Sequence, residues 1–211
     1  MAYDLEEQEK LDALRDWWAK YGTLIVLLVL AAALSVAGWR GWQWYQGHKA
    51  SQAMGYFEAL EQAAERSDDE SLERVRTASQ TLRDDFSSSG YTPRGMLLAA
   101  SALQKNGDTE DAIEQLRWVA EHSTDESLVQ LARLRMGGLL LDKGDYDEAL
   151  DQLDNPPKAF QALYADRRGD IFFAQGEVDK ARDEWQTALD NLGDEPLAQI
   201  VQLKLDALNG A

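Results

Sequence analysis

The residues able to do chemistry are few and scattered. His48 and His122 lie far apart in the chain, and neither has a ligand pattern beside it. His48 adjoins a run of aromatics. His122 falls near a predicted helix end, where a cation favours the dipole. A catalytic or metal-binding role needs companions that converge on one point, and the sequence holds no phosphate loop or nucleophile elbow. The stretch Asp142-Lys143-Gly144-Asp145-Tyr146-Asp147 has the carboxylate density to attract calcium. It lacks the glycine position and closing glutamate of a calcium loop, and the same turn recurs elsewhere without that density. Helix capping accounts for it. There is no cysteine, so disulfides, thiolate metal sites and cysteine nucleophiles are excluded. The expectation is a protein that is not an enzyme, with no catalytic, cofactor-binding or metal-ligating residues and no cofactor.

Charge narrows the partners. The 211 residues carry a net charge of −17. Of this, −3 lies before Tyr21, and −14 lies beyond, where 18 basic residues face 32 acidic ones. Such a surface repels phosphate backbones, so nucleic acid is not expected as a direct ligand. It repels anionic lipid as well, so the acidic part would not lie on a membrane by itself.

The element that organises the chain is the uncharged run from Tyr21 to Trp39, between Lys20 and Arg40. At about 1.5 Å per residue it spans roughly 28 Å, close to the hydrocarbon thickness of a bilayer. Trp17, Trp18 and Tyr21 stand at one end, and Trp39, Trp42, Trp44 and Tyr45 at the other. Amphipathic rings are most stable at the membrane interface, and a core helix has no reason to carry them at both ends. A small-x-small site, Ser35-Val36-Ala37, precedes Gly38, but a signal peptide wants a short positive leader. The acidic segment before the run therefore points to a retained anchor. Basic residues near the span lean towards a cytoplasmic N-terminus by a single charge. Leu11, Leu14, Trp18 and Tyr21 mark one face of a helix before the span. Ala33, Ala37 and Gly41, four apart within and just beyond it, permit close helix packing in lipid.

Beyond Arg40 the pattern is helical. A helix is expected from Lys49 to Arg66. Another should start at a capping box of Ser67 and Glu70 and run to about Asp84. After the loop at Ser87-Ser88-Ser89-Gly90, Pro93 suits a first helical position. The chain then repeats. Gly107-Asp108-Thr109-Glu110-Asp111-Ala112 returns as Gly144-Asp145-Tyr146-Asp147-Glu148-Ala149, then as Gly176-Glu177-Val178-Asp179-Lys180-Ala181, at spacings of 37 and 32 residues. The glycine ends one helix in the left-handed conformation. The acidic residues should cap and favour the next. Small residues stand seven before each glycine (Ala100, Gly137, Gly169), and large ones four after each alanine (Leu116, Leu153, Trp185). The helices of each hairpin should cross at the small residue, with the large one filling the gap. Pro196 to Leu208 reads as a final helix covering the end of the stack.

These units resemble the tetratricopeptide repeat, best in the third (Gly169, Phe172, Gly176, Ala181, Trp185, Ala188) and less well in the second, which breaks at Pro156-Pro157. Residues 49 to 84 do not fit the motif. The resemblance implies a concave groove, towards which the inner helices would present Leu97, Ser101, Leu134, Gly138, Leu141, Leu163, Asp170 and Phe173, an apolar surface with some acid. The candidate binding residues are Leu97, Leu134, Leu141, Leu163, Asp170 and Phe173; several of these leucines would equally serve to pack neighbouring helices. Some repeats of this kind clamp a peptide carboxylate with lysine and asparagine; those residues are absent here, so that mode is disfavoured.

Over nearly its whole length the layout looks like the YfgM-type proteins, ancillary subunits of the bacterial SecYEG translocon. The specific features are Trp17-Trp18 before a glycine opening the span, Gly38-Trp39-Arg40-Gly41-Trp42 closing it, and the repeats that follow. The resemblance implies a single-pass inner-membrane protein with an all-α fold. Residues 1–20 would be a cytoplasmic tail, 21–39 the transmembrane helix and 40–48 an aromatic juxtamembrane segment. Residues 49–211 would be a periplasmic tetratricopeptide-like domain of helical hairpins with a C-terminal capping helix. The implied partners are translocon subunits, a membrane-anchored prolyl-isomerase-like chaperone and exported client proteins, with restraint of a stress-response regulator as a further role. The same architecture would also suit a periplasmic scaffold for envelope assembly, cell division or cell-wall machinery.

Overall fold

The computed structural model of the chain describes residues 2–66, 68–193 and 195–209. Among these residues every regular element is helical. The elements are α1 (Ala2–Ala64), α2 (Asp69–Phe86), α3 (Tyr91–Lys105), α4 (Thr109–His122), α5 (Glu126–Lys143), α6 (Tyr146–Gln152), α7 (Gln161–Ala174), α8 (Val178–Leu192) and α9 (Pro196–Asn209). A 3-10 turn at Lys158–Phe160 precedes α7. The chain divides into two compact units, Met1–Ser51 and Gln52–Ala211.

The first unit is made by α1, which is assigned without interruption through Gly41 and Gly47. One stretch of this helix is long and apolar enough to cross a membrane, and almost none of it is covered by protein. Leu24, Leu27, Leu28, Val29, Leu30 and Leu34 are all exposed. Such a surface is stable only against another apolar medium.

In the second unit the last turns of α1 contribute Ala53, Leu60 and Ala63 to the core. There Phe57 packs on Tyr91, and Tyr56 on Phe86. From α3 onward consecutive helices pair as hairpins, α3 with α4, α5 with α6 and α7 with α8, and α5 packs on both α3 and α7. Two hydrophobic clusters result. The larger runs from Ala53 to Ile171. The smaller joins Ala165 to Trp185, Ala188, Val201 and Leu205, so α7 serves both.

The three repeated turns share one hydrogen-bonding plan. Gly107, Gly144 and Gly176 have φ of 87°, 84° and 80°, a conformation that favours glycine. At each turn the residue after the glycine donates back five residues, Asp108 to Leu103 (3.0 Å), Asp145 to Leu140 (2.9 Å) and Glu177 to Phe172 (2.8 Å). The glycine N–H of each donates back three. This pair of hydrogen bonds closes the end of the helix. The small-to-large pairing is also present. A Cβ added to Gly137 would lie 3.1 Å from Leu153 Cδ1, and one added to Gly169 would lie 2.5 Å from Trp185 Nε1.

Helix starts differ from expectation. Ser67 lies outside the described residues, and α2 is capped by Asp68, whose side chain accepts from Ser71 N (2.9 Å) and Ser71 Oγ (2.9 Å). Two adjacent residues could each cap, and Asp68 has the geometry. The amide of Ser71 holds the Asp68 carboxyl below its ordinary pKa. Pro93 is the third residue of α3, since Tyr91 begins the helix. The acids after the repeat glycines make no side-chain cap. They pair with cations: Asp108 with Arg76 (2.6 Å), Asp145 with Lys143 (3.1 Å) and Glu177 with Lys180. Further ion pairs tie successive outer helices, Arg83 to Glu114 (2.7 Å) and Arg117 to Glu148 (2.6 Å).

Candidate protein-interaction groove

The helices α3, α5 and α7 surround the region where a groove is expected, and one buried polar join ties α7 to α5. Tyr164 on α7 is fully buried, and its hydroxyl donates to Gln130 Oε1 (2.6 Å) and lies 2.9 Å from Gln130 O on α5. Burial pushes the phenol pKa up to about 12, so the hydroxyl keeps the proton it donates.

Between these helices lies an open cavity of about 350 Å³, lined by Ser101 and Gln104 of α3, Arg135, Gly138 and Asp142 of α5, and Arg167 of α7, over Ala100, Leu116 and Leu139. It is at the small end of ligand sites, which run from ~300 to 1,000 Å³. Arg135 donates weakly to the Leu97 carbonyl at 3.4 Å. Arg167 is 3.9 Å from Asp170 Oδ2, and its Nε is buried with no hydrogen-bond partner. Asp170 itself is more closely held from the other side, by Lys204 of α9 at 2.6 Å, which also meets Asp166 at 2.6 Å. Trp185 Nε1 donates to the Asp166 carbonyl and to Asp170, each at 3.2 Å.

The structure places the sequence-derived residues as follows. Ser101 and Gly138 line the cavity. Leu97 is buried in the core, with Leu134 and Leu141 partly buried against it. Leu163 is half-buried on α7. Asp170 is engaged by Lys204 and Trp185. Phe173 is exposed and packs on Trp185, with ring centroids 5.7 Å apart. The floor is apolar, but the walls carry two guanidinium groups that the sequence reading did not place there. The overlooked signal was the spacing Arg135, Gly138, Asp142, three and then four apart, a stripe one residue on from Leu134 and Leu141.

His122 stacks on Trp118 at 4.9 Å, with Nδ1 3.0 Å from the Trp118 carbonyl. Among the described residues no group of three or more His, Cys, Asp or Glu is gathered as a metal would require.

In the first unit, Trp17 packs on Trp18 and Tyr21, at 6.4 and 5.9 Å between centroids. Trp42 packs on Tyr45 at 6.2 Å, and Trp44 stacks on His48 at 5.7 Å. Lys20 lies 5.5 Å from the Tyr21 ring, and Lys49 lies 5.7 Å from the Tyr45 ring. Trp39 is exposed, as are the other aromatics of both groups. Each end of the apolar stretch thus carries aromatics and a cation, the combination favoured at a membrane interface.

Known proteins match this chain over nearly its whole length. A family model described as a tetratricopeptide repeat-like domain matches residues 15–210. The ancillary SecYEG translocon subunit of Neisseria gonorrhoeae is 30% identical over 212 residues, covering 99% of this chain and 100% of the relative. That of Haemophilus influenzae is 26% identical over 99% of this chain and 100% of its own length. That of Escherichia coli is 24% identical over 96% and 97%.

Proposed function

The chain belongs to the family of ancillary SecYEG translocon subunits and carries its tetratricopeptide repeat-like domain, and from that premise we propose that it is a membrane-tethered interaction module serving protein export. The observation that carries this reading is α1. Its apolar stretch, uncovered by the protein and bounded at each end by aromatics and a cation, is suited to lie in a bilayer beside a membrane partner. In this reading α1 crosses the inner membrane once, with the N-terminus in the cytoplasm and the repeat domain in the periplasm. The span and the aromatics from Trp39 to Tyr45 meet the translocon. The repeat domain receives a membrane-anchored chaperone related to prolyl isomerases, or an exported client chain. Restraint of a stress-response regulator is a second role of the same module.

Tethering supplies the mechanism. An anchor that fixes the domain beside its partner converts each later contact into an intramolecular one and raises effective affinity without new contacts. No proton or group transfer is required of any residue. The test is exchange of residues 21–39 for an unrelated apolar span of equal length, followed by co-purification with translocon subunits from membranes. Association should fall at least several-fold. Undiminished co-purification would show that the side chains of the span do not contribute.

A further inference from the structure

The exposed apolar side chains of the second unit are unevenly spread. Among the described residues from α2 to α6, no large apolar side chain is exposed. On the last three helices four are: Phe173, Val178, Ile200 and Leu203. Two of these stand on α9, whose inner side already buries Val201 and Leu205. Pro196, Ile200, Leu203 and Ala207 are all exposed, and their spacing of four, three and four places them on one stripe of the helix. Repeat arrays end on an element with a polar outer face, and here an apolar stripe interrupts that face.

The stripe is poor in charge, in a chain of net charge −17. Lys204 and Asp206 are the only charged residues of α9, and Lys204 is engaged by Asp166 and Asp170. A second copy of the chain brings the same negative charge, so two copies meet best through a face that carries little of it. The stripe is also its own complement. Positions 196, 200, 203 and 207 are symmetric about the point midway between Val201 and Gln202. Two α9 helices laid antiparallel about that point set Ile200 against Leu203 and Pro196 against Ala207, twice over, as a two-fold interface requires. That register holds the two Asp206 carboxylates about 13 Å apart along the axis, beyond the ~8 Å screening length at physiological salt. A parallel pair would set them side by side.

We propose that α9 docks antiparallel on the α9 of a second copy of this chain, through Pro196, Ile200, Leu203 and Ala207. A face of one 14-residue helix, about 21 Å long and 10 Å wide, falls short of the ~800 Å² per partner of a stable complex. The pairing is therefore weak in dilute solution and forms where copies are held close together. Neither the stripe nor its test involves the translocon.

The chain has no cysteine, so introduced thiols report without background. The full chain is reconstituted in lipid vesicles as two populations with different affinity tags, Pro196→Cys and Ala207→Cys, and treated with a short bismaleimide. The mixture should give a product carrying both tags. Neither population alone should crosslink, because in this register the two copies of either position lie about 16 Å apart along the axis. Leu203→Asp added to both populations should abolish the mixed product. Leu203 is exposed, so thermal unfolding of the domain should be unchanged by that substitution. Absence of the mixed product would overturn the proposal and leave the stripe to a different protein. Crosslinking as strong within each population alone would overturn the antiparallel pairing. A mixed product that survives Leu203→Asp would overturn docking through the stripe in favour of random collision.

Discussion

Gly169 on α7 and Trp185 on α8 leave no room between them for a methyl group: a Cβ on Gly169 would fall 2.5 Å from Trp185 Nε1 and 2.9 Å from Cγ. The indole is held from both sides, by its hydrogen bonds to Asp166 and Asp170 and by burial among Ala181, Ala188 and Val201. It cannot retreat as a leucine tip could.

Gly169→Ala should therefore destabilise the domain by about 1–3 kcal/mol, the cost of overpacking a core. Gly137→Ala should cost less, because it meets the movable side chain of Leu153 at 3.1 Å. Gly55→Ala, with nothing within 4 Å, should be neutral or stabilising, as expected for glycine replaced in an exposed helix. Urea unfolding of the three variants gives the order directly. A Gly169→Ala variant as stable as Gly55→Ala would show that the crossing is looser than described.

The capping helix α9 depends on Lys204. Its ammonium joins Asp166 and Asp170 at 2.6 Å each and lies 5.7 Å from the Trp185 ring. Lys204→Met keeps the stem but removes the 2.6 Å cation from both carboxylates, leaving Asp170 the 3.9 Å approach of Arg167. The loss should be about 1.5–3 kcal/mol, the scale of hydrogen bonds to charged groups. It should appear as faster amide exchange across α9, with α3 and α4 unchanged. Uniform loss of protection across all helices would show that α9 is not a separable cap.

Tyr164 gives an alkaline signature. Its pKa is raised from 10.0 to about 12 in the folded chain, chiefly by burial. The neutral phenol is the stabilised form, so its contribution is intact below pH 10 and is lost as pH rises from there towards 12. Tyr164→Phe should lower stability at neutral pH by about 0.5–1.5 kcal/mol, through loss of the bond to Gln130. The same variant should lose less on titration from pH 10 to 12 than the wild-type chain. Equal slopes for the two would show that the phenol titrates freely.

Much of the scaffold was legible because its signals are local. A left-handed helix end asks for glycine, and the crossing of two helices asks for a small residue opposite a large one, so Gly144, Gly137 and Leu153 could be read from spacing alone. What escaped was decided by which of several neighbours, local or distant, a side chain meets. Asp108 and Asp145 look like caps until Arg76 and Lys143 are beside them. Ser67 and Asp68 are equally good caps on paper. In the groove, a rotation of one residue about α5 exchanges Leu134 and Leu141 for Arg135 and Asp142, and periodicity does not fix that phase. The long apolar stretch of α1 was legible throughout, since length, absence of charge and flanking aromatics are properties of sequence.

The central claim is that α1 holds the repeat domain at the translocon. A photocrosslinking side chain introduced at Trp42, in intact cells, tests it most directly, with adducts identified by mass spectrometry. The account predicts translocon subunits joined to Trp42, and a chaperone or exported chains joined to a second probe at Phe173. Adducts confined at both positions to cell-wall or division proteins would contradict it.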